Sequence, residues 1–178
     1  MVESGRTPDR PTLIVLTGVP GAGKTTLGAA LGAALEAPFL SLDTIKESMY
    51  ATGAHTEDPY RLRLAAEAEM SDQLRVLGQT VVVDIWIALD RDTDRVAALF
   101  RAQDRDIVEV MCRVPADIAV ERYSRRRRSD PHRPADQPTL QRIGDAVQRL
   151  QPMGTGRCIH VDTARLVDVH SVIQELWR

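Results

Sequence analysis

The most constraining feature of this 178-residue chain lies between residues 12 and 35. An apolar, partly β-branched run, Thr12-Leu13-Ile14-Val15-Leu16-Thr17, passes through Gly18-Val19-Pro20-Gly21-Ala22-Gly23-Lys24-Thr25 into the Ala- and Leu-rich stretch from Lys24 to Leu35. The first run suits a strand buried on both faces, and the last suits a helix that ends before Pro38. The turn between them matches G-x-x-x-x-G-K-[ST] without departure. At average residue frequencies such a match arises by chance in roughly one in two hundred chains of this length. Its placement between a strand and a helix makes coincidence rarer still.

Each residue type in that turn has a physical use. Glycines let successive backbone N–H groups curl toward one point, and the helix N-terminus adds partial positive charge there. The spacing therefore predicts a polyphosphate cradle built from Gly18, Gly21, Ala22, Gly23, Lys24, Thr25 and Thr26. Lys24 would reach the β- and γ-phosphates, and the Thr25 hydroxyl would ligate Mg²⁺. A glycine-rich turn that merely connects strand to helix is the plainer alternative.

The remaining pattern alternates strands and helices. Strands are expected at Phe39–Leu42, Thr80–Val83, Ile107–Val114 and Cys158–Val161. Helices are expected at about 44–51, 58–77, 92–103, from Pro115, 139–150 and 166–177; Gly78 would stop the second, and Leu166, Val169, Ile173 and Leu176 would form the buried stripe of the last. Such alternation implies an α/β three-layer fold around a parallel sheet. Residues 1–11 read as a flexible leader and 12–178 as one domain, with a proline-rich loop or lid within about 125–138.

Two predicted strands run into an aspartate. Asp84 follows Val81-Val82-Val83, the pattern that puts a carboxylate beside the phosphate loop, and is assigned to the Mg²⁺ shell. Asp43 ends the second strand and, at the carboxyl edge of the sheet, would orient an attacking hydroxyl and accept its proton late. Either acid can instead be a helix N-cap. Lys46, three residues after Asp43, suits an anionic acceptor or the migrating phosphoryl group; a solvated surface lysine is the alternative. Trp86 offers an aromatic wall to the acceptor, or simply packs in the core.

Apolar residues make up 43% and charged residues 27% of the chain, the balance of a folded globular protein. A formal net charge of −2 argues against blanket neutralisation of nucleic acid. Yet Arg125 to Arg128 form a basic run, with Arg122 before it and Arg133 after it. Arg122 and Arg126 share a helix face and would close over a triphosphate, with His132 and Arg133 as further candidates. The other arginines suit a solvated face. Cys112 and Cys158 are expected to be buried thiols. No segment approaches the ~18 apolar residues of a membrane span, so the cytoplasm is the expected compartment.

Together, GVPGAGKTT, the Asp of LDTIKE, the VVVD run, ERYSRRRR before the lid and HVDT near the end resemble the small P-loop kinases of the nucleotide-kinase-like group. That group includes shikimate, gluconate and chloramphenicol kinases and polynucleotide kinase domains, with a likeness also to AAA-type, zeta-toxin-like ATPases. The resemblance implies a five-stranded parallel sheet of order 2-3-1-4-5 and use of ATP and Mg²⁺. It further implies Asp43 as the acceptor-activating acid, Arg122 beside the adenine, Arg126 at the phosphates and backbone around Thr163 bordering the base. No second acceptor motif of the shikimate or gluconate kinases is present, and residues 44–63 match no named pattern. The expected activity is transfer of the ATP γ-phosphate to a small hydroxylated acceptor, such as an antibiotic or other metabolite. A polynucleotide 5′-hydroxyl kinase and a nucleotide-switched ATPase without an acceptor are the competing readings.

Overall fold

A computed structural model describes residues 10–53, 58–88, 91–126, 131–132 and 134–178. Five strands form one parallel sheet: β1 (Thr12–Thr17), β2 (Phe39–Ser41), β3 (Val81–Asp84), β4 (Asp106–Arg113) and β5 (Arg157–Asp162). Their order is β2-β3-β1-β4-β5, as the resemblance implied. The helices are α1 (Lys24–Ala34), α2 (Leu42–Ala51), α3 (Pro59–Leu77), α4 (Thr93–Arg101), α5 (Ala116–Arg125), α6 (Gln137–Arg149) and α7 (Val169–Leu176).

Alternation along the strands separates two cores. Ile14 and Leu16 of β1 face α1, α5, α6 and α7, through Leu27, Leu31, Ala119, Tyr123, Ile143, Val172 and Leu176. Leu13 and Val15 face α3 and α4, through Ala66, Met70, Leu74, Val96 and Phe100. Every residue of β1 is buried, which explains why its sequence is a continuous apolar run rather than an alternating one.

Element boundaries differ from expectation where a local cap decides them. The β2 ladder ends at the Ser41↔Asp84 pair, and Leu42 opens α2 with its side chain already in the core. Asp43 therefore lies in the first turn of α2, one residue past its first position, rather than at a strand end. At the other end of the chain, the Asp168 carboxylate accepts from the His170 N–H at 3.0 Å and starts α7 at Val169. Leu166 is left outside the helix and fully exposed, contrary to the stripe predicted for it. Asp58 caps α3, and Gly78, at φ 60°, stops it as expected.

Residues 10 and 11 already adhere to the sheet: Arg10 pairs with Asp104, and the Pro11 carbonyl accepts from the Asp106 N–H at 3.2 Å. Cys112 is fully buried, whereas Cys158 is only partly so. Burial pushes the Cys112 thiol up to about 12 and that of Cys158 up to about 11, so both are neutral thiols. Among the described residues, no helix is long and apolar enough to cross a membrane.

Candidate functional site

The loop from Gly18 to Gly23 leaves the carboxyl end of β1, in the middle of the sheet, and enters α1. Its backbone is shaped by close approach. At Gly18, φ is 142° and a Cβ would stand 2.7 Å from the Cys112 carbonyl oxygen; at Gly21, φ is 86° and a Cβ would overlap the Ala119 carbonyl. Neither position accepts a side chain without moving β4 or α5. Lys24 is folded back on the loop, its Nζ donating to the carbonyls of Gly18 (2.9 Å) and Val19 (3.1 Å). Thr25 and Thr26 are exposed beside it. The first-turn N–H groups of α1 have no intrahelical acceptors, so they remain available to an anion.

In front of this loop opens a cleft of about 810 Å³. Gly21, Gly23, Lys24, Thr25, Thr26, Arg122 and Arg126 line it from the side of α1 and α5, and Asp43, Lys46, Asp84 and Trp86 line it from the side of α2 and β3. Most of the residues singled out from the sequence thus meet in one space. Three do not line it. Ala22 is buried behind the loop, Gly18 lies deeper at the root of the loop, and Thr163 contributes its carbonyl through a neighbour.

Asp84 closes β3 opposite Leu16 of β1. Its Oδ1 accepts from the Ser41 hydroxyl at 2.9 Å, while Oδ2 is buried and has no hydrogen-bond partner. No helix starts at Asp84, since α4 begins at Thr93, and the capping alternative falls away. A buried carboxylate oxygen without a donor, lining the same cleft as the exposed Thr25, fits the oxygen chemistry of Mg²⁺. Among the described residues no cluster of three or more His, Cys, Asp or Glu could hold a metal ion.

Asp43 is half-exposed, and its Oδ1 stands 3.7 Å from the Lys46 Nζ one helical turn later. Lys46 is not a solvated surface lysine: its side chain is 15% exposed. Burial lowers its affinity for a proton below the ordinary lysine value, while Asp43 acts the other way. Asp43 is also not the N-cap, a position held by Ser41.

Arg122 donates to the carbonyls of Thr163 and Ala164, both at 2.8 Å, which fastens the β5–α7 connection beside Gly23. Arg126 is the C-cap of α5 and lines the cleft. His132 meets Glu47 of α2 at 2.6 Å and so rests on the helix that carries Asp43 and Lys46. Arg127, Arg128 and Arg133 lie outside the described residues.

Sequence reasoning missed the far wall. Arg63 of α3 is buried; its Nε donates to Glu67 at 2.8 Å, and its Nη2 to the Trp86 carbonyl at 2.7 Å, with Asp92 at 3.4 Å. Arg91 and Arg95 complete this network through Asp92, and Arg95 also pairs with Glu67. The signal was an Arg–Glu pair at i,i+4 embedded among the apolar positions of α3. Tyr60, under the Arg91 guanidinium at 6.0 Å, and Arg142 and Arg149 of α6 also line the cleft.

Residues 13–152 match the AAA_33 family model, described as an AAA domain. The chain belongs to this family. Among solved structures, this AAA_33 chain is similar to a candidate kinase from Chloroflexus aurantiacus, at 26% identity and a TM-score of 0.77, covering 94% of this chain and 97% of that one. A gluconokinase from Sinorhizobium meliloti (22% identity, TM-score 0.55, 94% and 90% covered) and a shikimate kinase from Aquifex aeolicus (16%, 0.57, 92% and 93%) share the fold. A search of the curated proteins gave no match. The AAA_33 chain is thus a P-loop protein with a kinase-like fold, as the sequence motifs implied.

Proposed function

We propose that the protein is an ATP-dependent phosphotransferase that moves the γ-phosphate of ATP to a hydroxyl of a small molecule, an antibiotic or another metabolite. The observation that supports this most is the sharing of one cleft by the phosphate loop and Asp43. A plain nucleotide switch has no need of a carboxylate at the acceptor end of its nucleotide site. The kinase fold of the neighbours supports the same reading.

In this reading Lys24 leaves the Gly18 and Val19 carbonyls and turns to the β- and γ-phosphates. Thr25 and Asp84 would hold Mg²⁺, which would supply positive charge against the phosphates. Arg126 stabilises negative charge spreading over the transferring group, and the Arg122 contacts hold backbone around Thr163 near the base. Asp43 accepts a hydrogen bond from the acceptor hydroxyl. As the hydroxyl oxygen bonds to the γ-phosphorus, the bond to the β–γ bridging oxygen breaks, ADP leaves, and the hydroxyl proton passes to Asp43. Lys46 keeps that carboxylate oriented, and Trp86 and Tyr60 present aromatic surface to the acceptor. Phosphoryl transfer depends chiefly on such positioning and electrostatics, so a half-exposed aspartate is adequate as a late proton acceptor.

The test is a panel of hydroxylated compounds, including a 5′-hydroxyl oligonucleotide, incubated with ATP, Mg²⁺ and protein. Mass spectrometry should find one added phosphoryl group on a small molecule. Phosphorylation of the oligonucleotide alone, or ATP hydrolysis with no phosphorylated product, would contradict the proposal.

A further inference from the structure

Glu109 is the one carboxylate in the middle of β4, fully buried, in register with Val15 of β1 and Cys158 of β5. The phosphotransfer chemistry above makes no use of it. Val15 and Ile107 beside it are apolar, and burial pushes its carboxyl above the ordinary glutamate range, opposed by the hydrogen bonds it accepts and by His160 on the same face. Both oxygens are engaged. Oε1 accepts from the Thr17 hydroxyl at 2.8 Å, and Oε2 accepts from the Met153 N–H at 2.9 Å.

Neither partner lines the cleft, but each adjoins a segment that does. Thr17 is the last residue of β1, immediately before Gly18, whose carbonyl accepts from Lys24. Met153 lies just past the end of α6, the helix that carries Arg142 and Arg149 along the cleft. Around Glu109, residues 150, 151 and 153 close with Thr17, Gly18 and Trp86 on a void of only about 10 Å³. The segment that follows α6 is thus joined through Glu109 to the root of the phosphate loop.

A buried carboxyl group is a poor device for stability alone, since well-packed apolar side chains of similar volume do as well or better. Its best-attested use is to fix one register among several. We propose that Glu109 is a positioning residue for nucleotide binding, clamping the segment that follows α6 to the root of the phosphate loop so that α6 and Lys24 address the same triphosphate. The proposal rests on the reading of the loop as a nucleotide site. The Thr17 bond sets the loop side of the clamp, and the Met153 bond sets the helix side.

The test compares the wild-type chain with Thr17→Val, Thr17→Ser and Glu109→Gln, measuring affinity for the β,γ-imido analogue of ATP with Mg²⁺ and, in parallel, the melting temperature. Thr17→Val removes the hydroxyl at nearly constant volume, whereas Thr17→Ser keeps it. The expected result is an affinity loss of about tenfold for Thr17→Val and Glu109→Gln in protein that is still folded, with Thr17→Ser within about twofold of wild type. With an acceptor in hand, the loss should appear in KM for ATP rather than in kcat. Unchanged affinity in folded Thr17→Val overturns the proposal, even if Glu109→Gln fails to fold. Equal losses in Thr17→Val and Thr17→Ser overturn it too, because shape rather than the hydrogen bond would then matter. Failure of the wild-type chain to bind the analogue sinks the nucleotide reading, and this proposal with it.

Discussion

The two walls of the cleft are built in different ways. On the donor side, one contiguous stretch from Gly18 to Thr26 supplies the loop and the helix terminus, and its backbone is held by close contact with Cys112 and Ala119. On the opposite side, the proposed acceptor wall, residues from α2, α3 and the segment after β3 converge, with Arg63 braced by Glu67 and Asp92. A backbone-built wall suits a ligand that never varies, such as a triphosphate. A side-chain-built wall can be re-cut for each acceptor while the sheet stays the same.

Perturbing the two walls should therefore have separable effects. Lys24→Ala should lower kcat/KM by about 10³-fold for every acceptor, because its charge acts on the phosphates alone. A loss confined to some acceptors would break the distinction. Arg63→Ala should act mainly on stability, by about 2 kcal/mol, since it removes the buried donor to Glu67 and to the Trp86 carbonyl while Arg91 and Arg95 still pair with Asp92 and Glu67. Chemical denaturation reads this directly, and an unchanged midpoint would show the network to be dispensable. Arg126→Ala should lower kcat by about 10²-fold with little change in acceptor KM. Smaller still, Tyr60→Ala should raise acceptor KM by about tenfold while leaving KM for ATP alone, if its half-exposed ring is acceptor surface. Steady-state kinetics with each substrate varied in turn separates these last two.

The same contrast explains what could be read from the sequence. Strand positions and the phosphate loop were legible because a buried parallel sheet writes continuous apolar runs and the loop geometry demands fixed residue types at fixed spacing, whereas the sheet order came only with the resemblance to the small P-loop kinases. Asp84 was legible for the same reason, at the end of such a run. Asp43 lines the cleft, but its setting was misplaced: the ladder stops at the Ser41–Asp84 pair, a contact between residues 43 positions apart. Arg63 was passed over because its meaning depends on Asp92 and the Trp86 carbonyl, neither of which is near in sequence. The expectation for Leu166 failed because helical spacing cannot reveal that Asp168 caps α7 first. Glu109, an acid inside an apolar run, was visible in the sequence, but its partners Thr17 and Met153 appear only once the chain is folded.

The central claim is that an Asp43-directed phosphoryl transfer occurs where the two walls meet. Asp43→Asn preserves shape but removes the proton acceptor and the charge that pairs with Lys46. Its phosphoryl transfer to the best acceptor of the wild-type chain should be measured beside its affinity for the β,γ-imido analogue of ATP. Transfer should fall by about 10²-fold or more, with analogue affinity within about threefold of wild type. Transfer at the wild-type rate would contradict the account.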